Sequence, residues 1–78
     1  MKNIFFQRLK ELRIENGLTQ KEFGALIGAT KNQISSWERH KTEPEIDILC
    51  KICTKFDVRT NYMLGIDNIK HRKKDSKF

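Results

Sequence analysis

Two threonines fix the local architecture of this chain more firmly than any other feature. Thr19 opens the run Gln20-Lys21-Glu22-Phe23, and Thr30 opens Lys31-Asn32-Gln33-Ile34-Ser35-Ser36-Trp37-Glu38. A threonine just ahead of a helical run accepts a hydrogen bond from a backbone N–H in the first turn. Glu22, three residues after Thr19, can return one and complete a capping box. Thr30 can cap the second run in the same way. The chain is thereby committed to two short helices, the first over about Gln20 to Ile27, joined by a tight turn containing Gly28.

The remaining spacing is helical throughout. Phe5, Leu9 and Leu12, flanked by Phe6, mark a first helix over Phe5 to Glu15, and Asn16-Gly17 stops it. In the second helix Phe23, Leu26 and Ile27 are expected to face inward, and Gly24 implies a close helix–helix approach. Its cost is about 1 kcal/mol in helix propensity relative to alanine. A fourth helix begins near Pro44, which a first helical turn tolerates, with Glu43 and Glu45 at the positive end of its dipole. Ile46, Leu49, Cys53 and Phe56 are its expected core stripe, and Asp57, a residue that tolerates left-handed backbone, ends it. Thr60 to Leu64 form a short fifth helix closed by Gly65. No strict alternation indicates a strand, so the expected fold is all-α, with five helices.

Size and charge narrow the function. At 78 residues the chain forms one small domain, burying roughly 60% of its unfolded surface, little scaffold for a catalytic pocket. No apolar run approaches the roughly 20 residues that span a bilayer, and the N-terminal apolar stretch is too short for a signal peptide. A cytoplasmic location is the expectation. Sixteen Lys and Arg against ten Asp and Glu give a net charge of +6, which favours a polyanionic partner. Cys50 and Cys53 lack the second ligand pair that zinc requires, and His40 and His71 lie far from them in sequence. Both cysteines fall mid-helix, away from the N-terminus that would acidify a thiol. They read as inert reduced thiols, at least one in the core, and no metal or cofactor is expected.

On a helical wheel from Lys31, the side carrying Ile34, Trp37 and Glu38 is the core face. The other side holds Asn32, Ser36 and Arg39, flanked by Lys31, Ser35 and Gln33, with no apolar residue. Amides suit the paired donor and acceptor of adenine, lysine suits guanine, and serine takes several partners. An ordinary solvated helix can share this composition. Here the face follows a capped helix and a tight turn in a basic chain, the helix-turn-helix arrangement, whose second helix can enter a DNA major groove.

The span Leu9 to Gly65 resembles the Cro/repressor, or XRE-type, helix-turn-helix family. The matching segments are Arg8-Leu9-Lys10-Glu11-Leu12-Arg13, Gly17 to Glu22, Ile34 to Arg39, Pro44, and Thr60 to Gly65. The resemblance implies a compact five-helix domain over residues 1–66, acting as a dimeric, palindrome-binding regulator, most often a repressor. By position it implies base reading by Lys31, Asn32, Gln33 and Ser36, and backbone contacts by Gln20, Thr30, Arg39 and Lys41. It also implies an Arg13–Glu38 salt bridge, consistent with an acid on the core face needing a partner. Two departures stand out: His40 replaces the usual glycine after the recognition helix, and Gly24 the usual alanine, which would loosen the motif.

Ile48, Ile52, Tyr62, Met63 and Ile66 are candidate dimer contacts. The basic segment 67–78 is expected to be a flexible tail, or else a DNA-contacting arm. An antitoxin-type interaction module, binding DNA only to regulate itself, is the alternative function. An enzyme has no supporting constellation.

Overall fold

A computed structural model of the chain describes residues 3–71. It contains α1 (Asn3–Glu15), α2 (Gln20–Ile27), α3 (Lys31–Glu38), α4 (Ile46–Lys55) and α5 (Thr60–Met63). The all-helical expectation holds, with one isolated antiparallel bridge between Val58 and His71. A single core is built from Phe5 and Leu9 of α1, Phe23 and Ile27 of α2, and Ile34 of α3. Ile52 of α4, Val58 and Met63 of α5 complete its fully buried part. Each such side chain contributes about 1.5–3 kcal/mol on burial. α2 and α3 share the most extensive helix–helix packing.

Every helix is followed closely by a residue in left-handed backbone: Gly17, Gly28, His40, Asp57 and Gly65, with φ of 68°, 77°, 61°, 54° and 80°. His40 decides the most. Its N–H donates to the Trp37 carbonyl and the Lys41 N–H to the Ser36 carbonyl, both at 2.9 Å. That pair of bonds is the Schellman closure, which ordinarily selects glycine. The chain thus keeps the reversal a glycine would give, and the His40 ring stacks on Phe6 with centroids 4.9 Å apart.

Gly24 is buried, and a Cβ built there would press into the carbonyl oxygen of Ala29. The close approach is between α2 and the backbone of the following turn. The glycine therefore lets the turn sit tighter; it does not loosen the motif.

Several inward assignments need correction. The buried stripe of α4 is Leu49, Ile52 and Cys53, whereas Ile46 is 68% exposed. Ile46 opens the helix, where no neighbouring element covers it. Phe56 is half-buried and stacks on Phe23 at 5.1 Å. Leu26 is also exposed. Pro44 is buried, but it precedes the N-cap Glu45 and lies outside the first helical turn. Ile52 and Met63 are both 0% exposed and cannot serve as dimer contacts. Ile52 lies one residue from Cys53 in the buried stripe, and the single turn of α5 aims Met63 at α1 and α4. Cys53 is buried and Cys50 exposed, and neither takes part in a disulfide among the described residues.

The start of the expected tail is tied down. The Arg59 N–H donates to the Lys70 carbonyl at 2.9 Å, and the Arg59 guanidinium contacts both Asp67 carboxylate oxygens at 2.9 and 3.0 Å. Arg8 lies 3.9 Å above the Tyr62 ring and reaches the carbonyls of Tyr62 and Asp67 and the Asn68 side chain. Lys70 pairs with Glu15. These contacts clasp residues 67–71 against α1 and α5. Residues 72–78, the rest of the expected tail, lie outside the described part.

Candidate nucleic-acid interface

The recognition helix α3 is held from behind by a polar brace. Arg13 Nε donates to Glu38 Oε2 at 2.6 Å and Nη2 to Oε1 at 3.1 Å. Gln20 Nε2 donates to the same Oε1 at 3.1 Å, and Arg13 Nη1 to the Leu18 carbonyl at 2.8 Å. The Arg13 and Glu38 side chains are only 14% and 5% exposed, so the pair is largely shielded from solvent screening. One carboxylate thereby joins α1, the entry of α2 and the end of α3. Burial of Ile34 and Trp37 sets the rotation of α3 about its axis, and the charged fork ties the end of the helix in that orientation.

Rotation of that side inward turns the polar residues outward. Lys31, Asn32 and Gln33 are exposed on the first turn of α3, and Ser36 is half-buried one turn further on. Thr30 caps the helix: its hydroxyl accepts from the Gln33 N–H at 3.1 Å, and Gln33 Oε1 accepts from the Thr30 N–H at 2.9 Å. Thr19 and Glu22 make the equivalent box on α2. Gln33 is therefore partly committed to the cap, its amide NH₂ remaining to donate outward, while Lys31 and Asn32 extend from the same turn. Gln20 is half-buried and faces Glu38. Arg39 is exposed at the C-cap, with Nε 3.3 Å from the Ser35 carbonyl, and Lys41 is exposed just beyond. The structure thus gathers the expected base readers on one face and places the expected backbone cations at its end.

Thr42 escaped the sequence reading. Its hydroxyl lies 2.7 Å from Ser36 Oγ, a pairing no helical wheel can display because Thr42 lies beyond the helix. Arg8 and Arg59, the anchors of the clasp, were equally illegible, since both reach residues that periodicity leaves unassigned. Among the described residues no group of three or more His, Cys, Asp or Glu is placed to hold a metal ion, and no helix is long and apolar enough to cross a membrane.

A family model described as helix-turn-helix matches residues 9–63. The chain belongs to this helix-turn-helix family. Within it, the chain is 38% identical over 63 residues to the HTH-type transcriptional regulator ImmR of Bacillus subtilis, covering 81% of this chain and 50% of that protein. The chain thus spans about half the length of that relative. Its fold superimposes on the P22 c2 repressor in complex with a synthetic operator with a TM-score of 0.76 at 26% identity, covering 85% of this chain and all of that one. SinR, a master regulator of biofilm formation solved in complex with DNA, matches with a TM-score of 0.68 at 34% identity, covering 77% and 97%. The helix-turn-helix of this chain is α2, the Gly28 turn and α3.

Proposed function

We propose that the chain is a sequence-specific transcriptional regulator, a repressor, that seats α3 in the major groove of double-stranded DNA. One observation carries the reading. The face of α3 that bears Lys31, Asn32, Gln33 and Ser36 holds amides, hydroxyls and a cation, and the part-buried Arg13–Glu38–Gln20 brace ties down the opposite side. A helix clamped from behind presents its donors and acceptors in one orientation, which base readout requires. Arg39 and Lys41 sit where phosphates would run, and Gln20 and Thr30 near the two helix N-termini, which favour anions. Such a chain works in the cytoplasm, where its DNA is.

A single recognition helix contacts few base pairs, so the reading includes a dimer on two half-sites. Ile48, Tyr62 and Ile66 remain as the candidate contacts from the original set; Ile66 is 63% exposed. Sedimentation of a monomer both free and on DNA would refute the dimer.

The test is selection of duplexes from a random pool, followed by binding to the selected and scrambled duplexes across a salt series. Asn32→Ala should cost roughly 1–3 kcal/mol on the selected duplex and little on the scrambled one. Arg39→Ala or Lys41→Ala should weaken both and lower the salt slope by about one per contact. Equal weakening of both duplexes by Asn32→Ala would mean that this face reads no bases.

A further inference from the structure

We propose that Thr42 is a positioning residue for base readout that acts through Ser36, a role that rests on the DNA-binding reading above. A lone serine hydroxyl rotates freely and serves as donor or acceptor to almost any base edge, so by itself it discriminates weakly. Ser36 is not alone: its Oγ lies 2.7 Å from Thr42 Oγ1. The left-handed turn at His40 and the Lys41 N–H bond to the Ser36 carbonyl fold the chain back and bring Thr42 alongside α3. Thr42 is β-branched, which restricts its side-chain rotation, and it sits exposed next to the half-buried Ser36. One hydroxyl proton is consumed between the two oxygens. The pair therefore offers a single outward proton instead of two, and the bond to the loop holds Ser36 Oγ in place. That arrangement confines the Ser36 hydroxyl to one position against a base edge, where a free serine would rotate among several.

The experiment measures binding of the full chain and its variants to the selected duplex, to duplexes with single base-pair changes, and to a scrambled duplex. Thr42→Val keeps the shape and removes the hydroxyl. It should reduce selectivity about three- to tenfold, the worth of one neutral hydrogen bond, at the base pairs where Ser36→Ala also reduces it. Affinity for scrambled DNA and the salt slope should not change. Thr42→Ser should retain selectivity, and Ser36→Ala with Thr42→Val together should be no worse than Ser36→Ala alone. Undiminished selectivity in Thr42→Val overturns the proposal. So does equal weakening on every duplex, which would make Thr42 a phosphate contact, and so do additive effects of the two substitutions. If the parent chain itself shows no preference among duplexes, the DNA-reading function falls and this role falls with it. If the parent discriminates and Thr42→Val does so equally, only the Thr42 role is lost.

Discussion

Arg13 and Glu38 meet fork to fork, with Nε–Oε2 at 2.6 Å and Nη2–Oε1 at 3.1 Å, and the Glu38 side chain is 5% exposed. Deleting the arginine strands a nearly buried carboxylate with only Gln20 as donor. Arg13→Ala should therefore cost about 3 kcal/mol. Glu38→Gln should cost less, since its amide oxygen still accepts one of the Arg13 bonds. Urea denaturation of the two variants gives the comparison; equal and negligible losses would show the pair to be idle.

Gly24 faces the carbonyl of Ala29 too closely for a methyl group. Gly24→Ala gains about 1 kcal/mol of helix propensity. It must also displace backbone in the turn, at an overpacking cost of about 1–3 kcal/mol. The expected net result is destabilisation by about 1 kcal/mol and a lower Tm. A raised Tm would show that the turn gives way cheaply.

His40 holds a left-handed φ of 61° while stacking on Phe6. His40→Ala loses the ring and keeps the backbone strain, whereas His40→Gly loses the ring and relieves it. The glycine variant should be the more stable of the two by about 1 kcal/mol. The reverse order in thermal melting would place the stabilisation elsewhere in this turn.

Asp67 controls the clasp through its charge. The Ile69 backbone N–H does most to hold its carboxyl below the ordinary aspartate value; desolvation opposes it, and the Arg59 guanidinium and the Asn61 side chain add to the lowering. A folded-state value below the unfolded one means that its contribution is present above the ordinary aspartate value. It fades as pH falls through the lower folded value. The Ile69 amide resonance should therefore titrate below the ordinary aspartate value, and Asp67→Asn should abolish that transition. A midpoint at or above the ordinary value would mean that the clasp is open in solution.

Much of the fold was legible because its signals are local. Thr19 and Thr30 each act within one helical turn, so both caps, and the Glu22 half of the first capping box, could be read from spacing alone. Gly17, Asp57 and Gly65 announced helix ends for the same reason. The inward side of α3 was legible from Ile34 and Trp37, since a single wheel assigns an eight-residue helix. The brace between Arg13 and Glu38 was reached through family resemblance and the placement of an acid on the core side.

The sequence by itself determined the helices, their caps and the polar character of the recognition face, because those depend on contacts within a few residues. Tertiary structure decided which apolar residues are core. Ile46 and Leu26 obey helical spacing yet stay exposed, while Ile52 and Met63 are sealed, because burial depends on which neighbouring helix covers each position. It also decided that His40 preserves a glycine-type turn by leaning on Phe6, and that residues 67–71 fold back through Arg8 and Arg59. The Ser36–Thr42 pair belongs to the same class. Its hydroxyls meet only after the chain has reversed at His40, a position whose residue type does not announce a left-handed turn.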